Sequence, residues 1–351
     1  VLDRQQAGSY RVYARSNREH LVKTTKIALS VLLLITVLLG GLYAYFLYAP
    51  KPAEPHLSAT LQHQQIEFGG LQRDYAFYIP AKLPANAPLL FVLHGSLQTI
   101  ADMRTFTGYE FERLAVQHGF IVVYPQGFEN NWNDCRLAAN YPARTQNIDD
   151  QGLIAMLIQR FASQHGADPR RAFLAGYSNG GHLGLRIALE QPQLLAGVAA
   201  IAANLPSDDN LACTPSGQAV PVLFMNGTRD PINPYNGGLV TLFGFGNRGT
   251  VLSAYASAQY FARLAGYPQD AVHSSSAWAH QDNRAQRVKL DQWQAEGRAE
   301  VALYSLIGGG HLIPQAAFRA PRLLGPTLSG FDGPQAIWDF FARQRPAPVQ
   351  P

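Results

Sequence analysis

The sequence predicts an α/β fold in which a mostly parallel sheet carries helices on both faces, preceded by one N-terminal transmembrane helix. Three observations lead there. Residues 27–48 form an uncharged apolar run. From about residue 73 onward, short apolar runs alternate with segments of helical periodicity, the pattern of parallel βαβ units. Finally, 47% of the 351 residues are hydrophobic and only 15% charged, which suits a large core and excludes disorder, collagen-like repeats and coiled coils.

The basic pI, near 9.0, does not imply a nucleic-acid partner. Residues 1–26 hold Arg4, Arg11, Arg15, Arg18, Lys23 and Lys26 against Asp3 and Glu19, which accounts for the whole net charge of +4. The remainder is neutral, so no basic face for counterion release is expected. The run 27–48 spans roughly 33 Å as a helix, about one hydrocarbon thickness. Its basic flank places residues 1–26 in the cytoplasm as a basic segment and the bulk of the chain outside, periplasmic in a Gram-negative cell. Tyr43, Tyr45, Phe46 and Tyr48 form an aromatic belt at the far interface. Leu47 and Ala49 loosely fit a signal-peptidase site, which would release the protein, but the run exceeds a signal-peptide core. An uncleaved anchor is the expectation.

Residues 49–62, with Pro50, Pro52 and Pro55, read as a linker, and 63–345 as the catalytic domain. Within it, strands are expected at 73–79, 89–93, 120–124, 172–176, 198–202, 220–225 and 301–306. Helices are expected at 109–117 (stopped by Gly119), 149–163, 180–190, 251–264 and 336–343. The Pro-rich residues 346–351 are expected to be a disordered tail. Cys135 and Cys213, the two cysteines, both lie in the exported part. An oxidising compartment favours a disulfide between them, the alternative being two separate buried thiols.

Gly176-Tyr177-Ser178-Asn179-Gly180 follows an apolar strand and opens a helix. Such a sharp turn lifts a serine hydroxyl above the sheet edge, and glycines are needed where a Cβ would collide. A neutral serine is a poor nucleophile, so it needs a base that is itself oriented by a carboxylate. In chain order the acid and then the histidine should follow, each on a loop after a strand. Asp230, after 220–225, and His311, after 301–306 and three glycines, fit those places. Asp208 and Asp209 compete for the acid role, while His182 fits packing on the helix. The oxyanion donors are expected to be the N–H of Asn179 and that of Ser96 or Leu97, in the loop Leu93-His94-Gly95-Ser96-Leu97, with His94 structural. Asp149 and Asp150, at a helix start, are expected to cap it.

Together LLFVLHGS, IVVYPQGF, WNDC, DDQGLI, DPRRAFLAGYSNGG, PVLFMNGTRDPINPYNGG and GGGH resemble the polyhydroxybutyrate depolymerase-like esterases, a branch of the α/β-hydrolase superfamily that includes feruloyl and acetylxylan esterases. The resemblance runs from about Gln65 to Ala342. It implies an α/β-hydrolase fold with Ser178 as nucleophile, Asp230 as triad acid and His311 as general base. It also puts Trp132 near the rim, where it fits a wall for an aromatic or sugar-like substrate and a packed rim residue equally; Tyr177, beside the serine, is expected as a second substrate contact. Where many members carry Thr-Trp-Pro-Gly after the histidine, this chain has Leu312-Ile313-Pro314-Gln315.

The expected activity is hydrolysis of a small or polymeric carboxylic ester through an acyl-enzyme, with no metal or organic cofactor. The membrane is a partner through residues 27–48, nucleic acid is not, and the oligomeric state is open. A serine peptidase, or a catalytically silent envelope binding protein on the same fold, are the alternatives. The loop 237–249, with Leu242, Phe243 and Phe245, fits a lid or a plain crossover equally.

Overall fold

The computed structural model describes residues 4–269, 271–279 and 287–347. It divides into two units. The first is essentially the helix α1 (Arg4–Phe46). This helix is twice as long as the apolar run, because no proline interrupts it between the basic segment and that run, and the hydroxyls of Thr24, Thr25 and Thr36 fold back on carbonyls one turn earlier. The basic segment and the apolar stretch are therefore one continuous helix.

The second unit begins with an irregular stretch, residues 49–61, and then builds a sheet. Its elements in order are β1 (Gln62–Phe68), β2 (Leu71–Tyr78), β3 (Ala87–Leu93), α2 (Ile100–Phe106), α3 (Glu110–His118), β4 (Ile121–Pro125), α4 (Pro142–Thr145), α5 (Asp150–His165), β5 (Ala167–Tyr177), α6 (Asn179–Glu190), β6 (Gly197–Ile201) and β7 (Val222–Gly227). After a small ribbon of β8 (Gly238–Leu239) and β9 (Thr250–Val251) come α7 (Ala254–Leu264), β10 (His273–Ala279), β11 (Arg287–Trp293), β12 (Val301–Ile307) and α8 (Gly333–Ala342). The ten-stranded sheet runs β1-β2-β4-β3-β5-β6-β7-β12-β11-β10. Strands β4, β3, β5, β6, β7 and β12 are mutually parallel, and an antiparallel pair closes each edge.

Every residue of β3, β4, β6 and β7 is buried, so these strands need cover on both faces. The two-residue period supplies it. Leu89, Phe91 and Leu93 of β3 enter a core with Leu157 and Phe161 of α5, Leu183 of α6 and Phe261 of α7. Leu90 and Val92 enter the opposite core, with Met103 of α2, Phe111 of α3, and Trp338 and Phe341 of α8. Helix ends follow local chemistry. Thr99 and Asp102 form a capping box for α2, Asp149 caps α5 by accepting from the Gly152 N–H, and Gly119 ends α3 at φ 71°.

The expected strands and helices of the parallel centre all occur, displaced by at most a few residues. The outer strands do not follow the expected pattern: β1, at one edge, and β11, between β12 and β10, carry polar and charged residues, and β10 is likewise not among the expected strands. The short α2 falls in a stretch for which no element is expected. Of the terminal segment 346–351, Ala347 is buried and its N–H bonds to the Arg170 carbonyl at 2.6 Å, so the order extends past the expected start of the tail. Residues 348–351 lie outside the described residues.

Candidate active site

The chain turns from β5 into α6 at Ser178, with φ 52° and ψ −115°. Such a conformation costs a non-glycine residue about 1–3 kcal/mol and persists only where surrounding structure enforces it. Here the Ser178 N–H bonds to Ile201 O at 2.8 Å and its carbonyl accepts from His182 at 2.9 Å. Its hydroxyl does not cap α6 and stays available. The flanking glycines are sterically required: a Cβ on Gly176 would lie 2.2 Å from Gly180 O, and one on Gly180 would lie 2.6 Å from His94 O. The same close approach brings the loop after β3 against the elbow. Because β4 and β5 flank β3 on opposite sides, this is the point where strand order reverses, the position at which open α/β sheets generally bind ligands.

Asp230 and His311 follow the parallel neighbours β7 and β12 and meet because their loops interlock. A Cβ on Gly227 would stand 2.2 Å from Gly310 O, which is why the run before His311 passes so closely. Arg229 N–H bonds to Gly309 O at 2.8 Å, Gly308 N–H to Thr228 Oγ1 at 2.9 Å, and His311 N–H to Leu324 O at 2.6 Å. Asp230 Oδ1 accepts from the N–H groups of Ile232 and Asn233, both at 2.8 Å, and Oδ2 meets His311 Nδ1 at 2.7 Å. Both side chains are almost wholly buried. The residue before the serine reaches this pair as well: Tyr177 donates its hydroxyl to His311 O at 3.0 Å, and its ring centre lies 5.1 Å from the imidazole. Burial, and secondarily the Asp230 carboxylate, push the Tyr177 phenol well above its ordinary pKa, so it stays a donor. Among the described residues no hydrogen bond joins the Ser178 hydroxyl to the imidazole; Tyr177 is the bridge between them.

Of the expected oxyanion donors, Leu97 is corrected. Its N–H is spent on Asn130 O at 2.8 Å, a bond that closes the loop. Gly95 N–H is likewise taken by Gln98 Oε1 at 2.8 Å, which leaves Ser96 as the candidate in that loop beside Asn179. His94 is structural, as expected. Its Nε2 accepts from Gly127 N–H at 2.9 Å and its Nδ1 lies 2.8 Å from Gly95 O, so the ring is neutral with the proton on Nδ1. Burial lowers its pKa to about 4, against smaller opposing effects of Gly95 and Asp102.

Both expected substrate contacts change role. Trp132 is fully buried, with its indole Nε1 donating to His94 O at 2.9 Å and its backbone N–H to Asn179 Oδ1 at 2.7 Å; it braces the loop after β3 from inside and presents no surface to a ligand. Tyr177 is 3% exposed and spends its hydroxyl on the histidine loop. Asp209 accepts from Ser207 and Thr250 on an exposed turn, which separates it from the imidazole that Asp230 holds. Asp149 caps α5, but Asp150 is buried and pairs with Arg73 at 2.7 Å while accepting from Asn133 N–H. His182 is buried and burial drives its pKa well down, consistent with packing.

The residues that sequence reasoning missed lie beneath the elbow. Asn179 Nδ2 donates to Asp134 Oδ2 at 2.7 Å and to the Tyr141 hydroxyl at 2.9 Å, and Asp134 pairs with Arg136 at 2.5 Å. Burial alone would raise the Asp134 carboxyl, but Arg136 and the hydrogen bonds overcome it and hold the group far below the usual range. An acid and an arginine flanking Cys135 were the only visible signal. The expected Cys135–Cys213 disulfide is present, with Cα atoms 5.2 Å apart; it ties the loop carrying this network to the one after β6.

The fold and this site define an α/β-hydrolase. Residues 70–303 match the protein family Esterase, and the chain belongs to that family. Among curated relatives, poly(3-hydroxyalkanoate) depolymerase C of Paucimonas lemoignei is 32% identical over 126 residues, covering 36% of this chain and 30% of that one. Feruloyl esterase B of Piromyces equi is 24% identical over 227 residues, 64% of this chain and 39% of that one. The acetyl xylan esterase of Aspergillus awamori shares the fold: its structure aligns over 80% of this chain and 99% of its own with a TM-score of 0.53, at 16% identity. The matched stretches span between 22% and 54% of the first three curated relatives.

Proposed function

We propose that this chain is a serine-dependent carboxylic ester hydrolase working outside the cytoplasm and held at a membrane by residues 27–48. The observation that carries the reading is the 2.7 Å bond between His311 Nδ1 and Asp230, latched through Tyr177 to the strained serine turn. With its Nδ1 proton held by Asp230, the imidazole keeps Nε2 as a base. Ser178 Oγ attacks the ester carbonyl as its proton passes to Nε2. The N–H groups of Asn179 and Ser96, with the amino end of α6 behind them, stabilise the developing oxyanion. The imidazolium then protonates the leaving alcohol, and a water deprotonated by His311 releases the acid.

Depolymerase, feruloyl and acetylxylan esterase relatives make polyesters and acylated sugars the substrates to try first. The full chain in detergent should hydrolyse p-nitrophenyl acetate, and Ser178→Ala should abolish turnover. Inactive wild-type protein that is folded would overturn the proposal. Proteolysis of intact cells should degrade the large domain from outside; its protection would overturn the location.

A further inference from the structure

The buried arginines Arg73, Arg104 and Arg136 each pair with a carboxylate; the half-buried Arg248, among the described residues, has none and is turned toward the elbow instead. Its Nη1 donates to Ser96 Oγ at 3.1 Å, and its guanidinium carbon sits 5.6 Å over the centre of the Tyr141 ring. Both contacts belong to the reaction centre. Ser96 is a candidate oxyanion residue, and the Tyr141 hydroxyl accepts from Asn179, the residue after the nucleophile. The carboxylate in that network, Asp134, is already engaged by Arg136, Tyr141 and Asn179.

The cation is also held in place. Arg248 N–H bonds to Val240 O, and its carbonyl accepts from Asn210 Nδ2, each at 3.0 Å. Gly249 follows at φ +74°, where a Cβ would stand 2.2 Å from the Asn210 side chain. Burial, and then the charge of Arg136, push the Arg248 pKa down. A partly dehydrated, preorganised cation beside a second cation is a costly arrangement that an arriving anion relieves. A guanidinium has five donors in one plane, and a single side-chain hydrogen bond uses one of them here.

We infer that Arg248 is a specificity-determining residue that receives the free carboxylate of the substrate, so that the substrate class is an organic ester carrying an acid group near the scissile bond. The inference rests on the ester-hydrolase reading above. A planar carboxylate matches the guanidinium fork. The surrounding loops suit an organic acid with an apolar body: Leu97, Leu239, Phe243 and Phe245 are exposed on the Ser96 and Arg248 loops.

The test uses the full chain in detergent with two matched pairs of esters. Mono(4-nitrophenyl) glutarate against 4-nitrophenyl pentanoate places the acid on the acyl side; 4-acetoxybenzoate against 4-acetoxybenzamide places it on the alcohol side. In at least one pair the wild type should favour the acid. Arg248→Gln, which can still bond Ser96, should lower the acid-to-neutral ratio of kcat/KM at least ten-fold, mainly through KM, and Arg248→Lys should restore part of it. A ratio unchanged in both pairs overturns the inference, as does an equal loss on acid and neutral esters without rescue by lysine, which would mark a purely structural role. If the wild type hydrolyses neutral esters while the ratio ignores residue 248, this inference alone fails; if it hydrolyses none of the four, the ester-hydrolase reading fails and takes this one with it.

Discussion

Replacing Asp230 by asparagine preserves shape while reversing one hydrogen bond, and the structure dictates which. Oδ1 of Asp230 accepts from two backbone N–H groups, those of Ile232 and Asn233, at 2.8 Å each. An asparagine must keep its carbonyl oxygen there, since turning the amide would set its NH2 against two donors. Its NH2 is then aimed at His311 Nδ1, which now has to accept. The imidazole proton moves to Nε2, the atom that should take the serine proton, and the base is lost. Where a triad aspartate is so exchanged, the loss of kcat is roughly 10³–10⁴-fold, or about 4–5.5 kcal/mol of transition-state stabilisation at ~1.4 kcal/mol per decade. Steady-state hydrolysis of p-nitrophenyl acetate by Asp230→Asn, with a thermal melt to verify folding, measures it. Activity within ten-fold of wild type in folded protein would refute the assigned tautomer and with it the role of Asp230.

Other expectations follow from the same contacts. Gly180→Ala drives a methyl against His94 O and Leu93, at 2.6 and 2.7 Å, and should cost about 1–3 kcal/mol in urea unfolding while lowering kcat; unaltered stability would contradict the close packing of the elbow. Removing both Cys135 and Cys213 as alanines should cost roughly 2–5 kcal/mol under non-reducing conditions, and the wild type with reductant should melt like the double variant. His94 is held neutral with its pKa lowered to about 4, so the unfolded chain binds its proton first on acidification. Its contribution is whole above pH 6.5 and falls away toward pH 4, by roughly 3 kcal/mol in all. Urea denaturation at a series of pH values should show a shallower acid decline in His94→Gln than in wild type, and parallel declines would refute it.

The parallel centre of the sheet was legible because its strands are buried on both faces, and a strand without a polar side leaves the same mark in any context. The turn at Ser178 was legible for a related reason: strand, small residues and helix occur contiguously, so the local sequence carries the geometry. The outer strands β1 and β11 were obscured because their polar and charged residues look like loop. Asp230 could be preferred over Asp208 and Asp209, which also follow a strand, because Pro206 and the polar run around those two read as a solvated loop, but its bond to His311 depends on Gly227 meeting Gly310 across two parallel strands. Trp132 shows the limit from the other side. An aromatic residue in a loop near the site reads equally as a substrate wall or a packed residue, and only its bonds to His94 and Asn179 decide that it faces inward. Likewise Leu97 and Ser96 are indistinguishable until Asn130 claims one of the two N–H groups. The sequence alone determined the elements and the chemical groups available, since periodicity and turn chemistry act over a few residues. Which groups meet, which are already spent and which remain for a substrate were decided by contacts between segments distant in the chain, and those exist only once the sheet has assembled.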